Sequence, residues 1–386
     1  MSLKHVVHIT NNFTPYMGGV TRAIQTITQG LRTQGLKTTI VTLDFTGQQY
    51  ANEQDVLRLP TIGKIIYKNN PLAYPLNCTR TLFKMLTQLA PDIIHFHHPF
   101  LLGNSGLFCA RQLGIPTVFT YHTLYHRYTH YVPLPHWITA RLINHRLKQF
   151  CNEVHGIITP STAAHTFIAS LGHAHKATVL PTPIQSHFLL SEKPEKPLIT
   201  PIELLYVGRF VHEKSPAALL ELYKLLPPHL FRLTYAGYGY LEAHLKHLAY
   251  KTYQLSPAQV RFIIKPTQDE LLNFYRISHF FLFPSQTDTQ GLVLAEAMAQ
   301  GTPVIALPGP GQADLIKTGY NGAIVPSVQA MAHYITSIAH NSSAYAILSR
   351  NAYTSHFTYH PETYIENLLS FYEKAALRAK NSRPLP

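Results

Sequence analysis

Long apolar runs are missing from this 386-residue chain: none approaches the roughly 18 residues that a membrane-spanning helix requires. Cysteine is scarce. Cys78, Cys109 and Cys151 are too few and too scattered for a disulfide framework or a paired Cys-x-x-Cys zinc site, and they fit a reducing compartment. No Gly-x-Gly-x-x-Gly occurs, which removes the usual dinucleotide fingerprint. No Asp-x-Asp occurs either, so the carboxylate pair that often holds a divalent ion on a diphosphate is absent. The amino-terminal run Lys4–Thr10 places histidines inside a strand-like segment and does not resemble a signal-peptide core. Acidic residues are few, 19 against 32 Lys and Arg, a net of +13 with the 24 histidines counted neutral. A soluble cytoplasmic protein with an anionic partner is expected, whether nucleic acid, a nucleotide phosphate or anionic lipid. With 46% hydrophobic residues, disorder is excluded.

The charge excess is not uniform. Residues 1–199 carry 17 basic and 7 acidic residues, a net of +10, and residues 200–386 only +3. The split falls at Ser191–Pro197, a charged, proline-bearing stretch of linker composition. On both sides short apolar strands alternate with helical patterns. The expected strands are His5–Thr10, Thr38–Leu43, Ile93–His97, Thr117–Tyr121 and Gly156–Thr159, then Glu203–Val207, Arg232–Ala236, Gln259–Ile264, Phe280–Phe283, Pro303–Ala306 and Gly322–Val325. Such alternation predicts an α/β chain of two Rossmann-like, doubly wound parallel-sheet domains with a cleft between them. The expected domains are 1–190 and 198–364, followed by a basic-ended helical segment, 365–386.

Four segments carry candidate chemistry. Gly18 and Gly19 follow the first strand and precede a helix, where bare backbone and free amides suit a close ligand, or simply a tight turn. The strand ending at Gly208 is followed by Arg209 and Lys214, a guanidinium fork and a point charge placed where ligands of parallel sheets bind, or simply a surface pair screened by Glu213. The run Pro284–Ala306 reads strand, loop, helix, glycine stop, strand. Gly291 opens its helix, leaving the amides of Leu292 and Val293 as donors, and Asp288 and Glu296 supply carboxylates for vicinal hydroxyls. Finally Thr120–Pro133 is dense in His and Tyr and, with His95-Phe96-His97-His98, raises zinc ligation as an option. No carboxylate lies within His122–Pro133, and imidazole and aromatic groups lining a sugar and lipid cleft are the favoured reading.

In this order the motifs resemble the retaining GT-B glycosyltransferases of glycosyltransferase family 4, over nearly the whole chain. The phrases Tyr121-His122-Thr123-x-Tyr125-x-x-Tyr128 and Thr289-Gln290-Gly291-Leu292 are similar to the subgroup that glycosylates diacylglycerol-type lipids. The resemblance implies that Arg209 and Lys214 hold a nucleotide diphosphate, Glu296 the ribose and Asp288 the donor sugar. Gly18 and Gly19 would approach the donor, with His122 beside the transferred sugar and Tyr125 and Tyr128 toward the acceptor. It implies front-face transfer of a hexose, glucose-type favoured, from a UDP-linked donor, with no metal or other cofactor. It also implies that the last helix crosses back to the first domain. Three positions depart from the pattern: Asp288 stands for the usual Glu, His126 for a Glu of the lipid subgroup, and Leu180–Gln185 for a Pro-x-Gly-Ile-Asp hinge.

Pro135–Phe150 reads as a helix with Arg141, His145 and Lys148 on one stripe, edged by Trp137, the sole tryptophan, and Ile138. This fits docking to an anionic membrane surface, hence peripheral association with the cytoplasmic face, and equally an ordinary solvated basic face. The basic residues are dispersed and no nucleic-acid motif is present, so nucleic acid is not expected as a partner. Other acceptors (lipopolysaccharide, a polyprenyl-linked sugar, a protein) and a histidine-based zinc hydrolase remain as alternatives.

Overall fold

A computed structural model describes residues 3–15, 18–44, 53, 55–67, 70–75, 78–125, 135–190, 192 and 194–381. They pack as two units, residues 1–183 with 361–386, and residues 184–360.

The strands of the first unit are β1 (His5–Ile9), β2 (Lys37–Leu43), β3 (Val56–Leu59), β4 (Thr61–Tyr67), β5 (Asn70–Pro75), β6 (Ile93–Phe96), β7 (Thr117–Thr120), β8 (Gly156–Thr159) and β9 (Ala177–Val179). Its helices are α1 (Gly19–Thr33), α2 (Cys78–Leu89), α3 (Leu102–Leu113), α4 (His136–Glu153) and α5 (Thr162–Ser170), joined by the last helix of the chain, Pro361–Asn381. Seven strands form a parallel sheet in the order β3-β2-β1-β6-β7-β8-β9, while β4 and β5 pair antiparallel as a separate ribbon. Val7, Ile9, Ile94 and Phe96 face one apolar core, and Val6, Ile93, Val118 and Ile158 face the other. Strands buried on both sides need no polar alternation. The last helix sits on that second face through Ile365, Leu368, Phe371 and Ala375. Two glycines admit it: a Cβ on Gly30 would stand 2.6 Å from Ile365, and one on Gly156 2.8 Å from Phe371.

In the second unit β10 (Ile202–Arg209), β11 (Phe231–Tyr238), β12 (Val260–Ile264), β13 (Phe280–Phe283), β14 (Val304–Ala306) and β15 (Gly322–Ile324) form a parallel sheet ordered β12-β11-β10-β13-β14-β15. The helices are α6 (Ala218–Lys224), α7 (Glu242–His247), α8 (Gln268–Ile277), α9 (Leu292–Ala299), α10 (Val328–Ala339) and α11 (Ser342–Ser355); the final helix of the chain is therefore α12. Ile184 and Phe188 belong to this unit's core, and the buried Lys196 ammonium donates to the carbonyls of Tyr275 and Ser278 at 2.8 and 2.9 Å.

Both sheets reverse strand order once, between β1 and β6 and between β10 and β13. Ligands of doubly wound sheets bind beyond the carboxyl ends of the strands at that reversal. The residues singled out from the sequence lie there: Arg209 ends β10, Asp288 follows β13, and the Gly18–Gly19 turn follows β1. The edge strands β3 and β9 and the β4–β5 ribbon were not expected from sequence. Among the described residues no helix is long and apolar enough to cross a membrane.

Candidate functional site

In the second unit a hydrophobic strand delivers the first cation. Leu204, Leu205, Tyr206 and Val207 are buried in β10, and the strand runs out at Gly208 and Arg209 into a short 3-10 turn, His212–Lys214. Arg209 lies 3.6 Å from the largely buried Glu213 carboxylate, and Lys214 contacts Oδ1 of Asp288. The loop after β13 is tied to this turn, because the Thr287 hydroxyl donates to the Glu213 carbonyl at 3.0 Å. That tie sets the ammonium of Lys214 against Asp288, 74 residues away in sequence.

Burial alone would push the Asp288 carboxyl up. The Lys214 charge and hydrogen bonds from Lys214 and Ser285, with Arg209 nearby, outweigh it and hold the group below its ordinary value. Asp288 is therefore ionised at neutral pH. Its second oxygen, Oδ2, is buried and has no hydrogen-bond partner among the described residues. An acceptor left open in that way costs the fold unless a ligand hydroxyl fills it.

Gly291 begins α9 with φ +77°, a left-handed conformation in which a side chain would also crowd Leu294 and Phe283 at 3.2 Å. It turns the chain so that the amides of Leu292 and Val293, which have no intrahelical acceptors, head the helix. Glu296 lies inside α9, 2% exposed, and its Oε2 accepts the Tyr275 hydroxyl at 2.7 Å. Gln312 braces the loop from beyond β14, with its amide donating to the Ser285 carbonyl at 2.6 Å and to that of Leu307 at 3.3 Å. The structure thus brings Lys214 against Asp288 beside Arg209, with Gly208 at the strand end, Gly291, Leu292 and Val293 at the start of α9, and Glu296 deeper in that helix on Tyr275. It pairs Arg209 with Glu213 and adds three residues that spacing did not reveal: Tyr275, Ser285 and Gln312. Tyr275 is the one tyrosine of α8, but nothing in the sequence pairs it with Glu296.

In the first unit Gly18 is the extended residue before α1, and among the described residues no atom lies within 4 Å of the position a Cβ on Gly19 would take. His122 follows β7, half-buried, with Nε2 2.9 Å from His97 Nδ1. Tyr125 packs edge-on to Phe100 and near Tyr121, its hydroxyl buried and unpartnered among the described residues. Tyr128, His126, His130 and Tyr131 lie outside the described residues.

His95 and His97 lie in the sheet interior, fully buried, instead of lining an open wall. With His8 they place ring nitrogens within 4.8 Å of one another, the one such group among the described residues. The donor set suits a metal poorly. His95 spends Nδ1 on the Tyr372 hydroxyl (2.7 Å) and Nε2 on Thr120 (2.6 Å), and His97 spends both nitrogens on His8 and His122. One nitrogen, His8 Nε2, is spare, and a zinc site needs three or four.

On α4, Leu147 and Phe150 are buried while Arg141, His145, Arg146 and Lys148 are exposed. Trp137 is 69% and Leu142 51% exposed, with Ile138 beside them. A hydrophobic side chain of that size left in water at the end of a basic stripe is the unusual feature of this unit's surface.

A model for Glycosyltransferase Family 4 matches residues 17–188, and one for Glycosyl transferases group 1 matches residues 191–355. The chain is 28% identical over 330 residues to an alpha-monoglucosyldiacylglycerol synthase of Streptococcus pneumoniae, covering 82% of this chain and 74% of that one. It is 25% identical over 382 residues to the Acholeplasma laidlawii enzyme of the same name, covering 93% and 94%. A solved structure of Anabaena HepE in complex with UDP-glucose superposes with a TM-score of 0.73 at 15% identity, over 95% of this chain and 98% of that one, a likeness of fold. Since the two models run in succession along both sheet units, this chain belongs to glycosyltransferase family 4 and is a glycosyltransferase of the GT-B fold.

Proposed function

We propose that this enzyme transfers a hexose, with retention and without a metal ion, from a UDP-linked donor to a membrane lipid of diacylglycerol type. The observation that carries the donor half is the Arg209–Glu213 and Lys214–Asp288–Ser285 arrangement beside the amino terminus of α9. It offers two cations and free amides to a diphosphate, a buried carboxylate oxygen to a sugar hydroxyl, and Glu296 to the ribose. Arg and Lys held in place by carboxylates are preorganised, so they meet leaving-group charge without reorganising at the moment of reaction. In the reaction the bond between the anomeric carbon and the phosphate oxygen breaks while the acceptor oxygen bonds on the same face. The acceptor proton passes to the departing phosphate. Gly18, Gly19 and His122 are assigned to the donor sugar and Tyr125 to the acceptor.

The acceptor half rests on the two alpha-monoglucosyldiacylglycerol synthases and on α4, whose exposed Trp137, Ile138 and Leu142 border Arg141, His145 and Lys148. That pattern suits peripheral docking on an anionic bilayer, where apolar side chains enter the interface and cations meet headgroups.

The test is incubation with a panel of labelled sugar nucleotides and a lipid extract, followed by chromatography of the lipid phase. A labelled lipid with UDP-glucose is the expected result. Donor turnover with no labelled lipid would transfer the reading to lipopolysaccharide, polyprenyl-linked sugar or protein acceptors. Arg209→Ala or Lys214→Ala should lower turnover at saturating donor on the order of a hundred-fold, and near-full turnover in either would contradict the assignment.

A further inference from the structure

Histidines meet in the first unit where β1, β6 and β7 adjoin. His8 is the register partner of His95, and His95 and His97, two residues apart, point to one face of the sheet. The His97 and His122 rings stack with centroids 5.2 Å apart. His8 Nδ1 lies 3.1 Å from His97 Nε2, and His97 Nδ1 lies 2.9 Å from His122 Nε2. Three imidazoles thus form an unbroken chain from the sheet interior out to His122.

Burial pushes the pKa of His8 down to about 3, that of His122 to about 3, and that of His97 well below its ordinary value, so all three rings are neutral at physiological pH. A neutral imidazole has one donor and one acceptor nitrogen. Two successive hydrogen bonds then leave only two proton arrangements, all pointing inward or all pointing outward. The inward arrangement puts an N–H on His8 Nε2, a buried atom with no partner among the described residues. The outward arrangement leaves a bare ring nitrogen there. Orphaned buried N–H groups are the rarer defect, which favours the outward arrangement. In the outward arrangement His8 Nδ1 donates to His97, His97 Nδ1 donates to His122 Nε2, and His122 carries its proton on Nδ1.

We propose that His8 and His97 are positioning residues that lock His122 as the Nδ1–H tautomer, so that it faces the substrate as a hydrogen-bond donor and not as a base. The substrate part rests on the assignment of His122 to the transferred sugar given above; the tautomer does not. The partner of such a donor is an acceptor oxygen of the sugar or its phosphate, and the acceptor proton must leave through another group.

The experiment is a long-range proton–nitrogen correlation spectrum of the full chain labelled with 15N-histidine, with His122 assigned by its loss in His122→Gln. The expected spectrum shows His122 neutral and protonated on Nδ1. His97→Asn keeps an N–H near the place of Nδ1 and should preserve both this pattern and most of the turnover. His97→Phe removes it; His122 should then move to the Nε2–H form, and kcat should fall about ten-fold with less change in KM, the size of one lost hydrogen bond. A wild-type His122 protonated on Nε2, an identical His122 pattern in His97→Phe, or stoichiometric zinc in the purified protein would each overturn the proposal. If His97→Phe does not fold, the wild-type and His97→Asn spectra decide. The spectrum needs no substrate, so an Nδ1–H His122 in a protein inactive toward every sugar nucleotide would overturn the transferase assignment and leave the histidine chain standing.

Discussion

At the scale of single residues the proposed donor side turns on Asp288. Its carboxylate is mostly buried, it partners Lys214, and it is held ionised against the pull of burial. A carboxyl with a depressed pKa stabilises the fold above the ordinary range of about 3.9, and that contribution disappears as pH falls through the folded value. Asp288→Asn removes the partner while leaving the ammonium inside. The expected cost is about 1–3 kcal/mol of stability, read by denaturant unfolding, together with a turnover loss on the order of a hundred-fold. A variant as stable and as active as the parent would contradict this account. The places of Arg209, Lys214, Asp288 and Glu296 on a strand end, a loop and a helix could be read from the sequence because motif spacing survives folding. Ser285, Tyr275 and Gln312 could not, since what makes each one matter is a contact made across the sheet end, such as the 2.7 Å bond from Tyr275 to Glu296.

Helices and strands set two further expectations. In the first unit α12 lies over β8 only because residue 156 has no side chain. Gly156→Ala places a methyl 2.8 Å from Phe371, inside a packed core, and should cost about 1–3 kcal/mol; a shift in the urea midpoint of this variant checks it. On α4 the exposed charges and Trp137 are separable. Reversing Arg141 and Lys148 to Glu should abolish the preference for anionic over neutral vesicles, and Trp137→Ser should weaken binding to both. Equal affinity of the parent for the two vesicle types at low salt would remove membrane docking from the proposal. The helical pattern of α4 was legible because its buried residues Leu147 and Phe150 recur at helical spacing. The edge strands β3 and β9 were not: four and three residues long, they hold too little apolar periodicity to be distinguished from loop.

Across the whole molecule, buried histidine makes the two units unequal toward acid. His8, His95, His97, His98 and His122 are all depressed by burial in the first unit, His98 to about 4. A histidine of this kind takes up its proton more readily in the unfolded chain, so stability declines as pH drops below about 6.5. The loss continues down to the folded values and amounts to as much as about 1.4 kcal/mol per histidine per pH unit. Unfolding of the first unit should therefore require markedly less urea slightly below pH 6 than above pH 7, and an unchanged midpoint would show that these rings accept protons in place. The surplus of positive charge divides the other way from the cations proposed for the donor diphosphate. Most of it lies in the first half, whereas Arg209 and Lys214 stand in the nearly balanced second half, each beside a carboxylate.

By itself, the sequence determined the α/β class, the two sheets, the family and the side chains proposed for the donor, because apolar runs, glycine stops and motif spacing are local properties of a chain. Only the tertiary structure decided what those side chains are bound to. His95, His97 and His98, at and just after the end of β6, read as a possible wall or metal site when taken in a row. Once strand pairing sets His8 beside His95 and stacks His97 on His122, His97 bonds the rings on either side of it, and hydrogen-bond stoichiometry, which no spacing encodes, dictates where their protons sit.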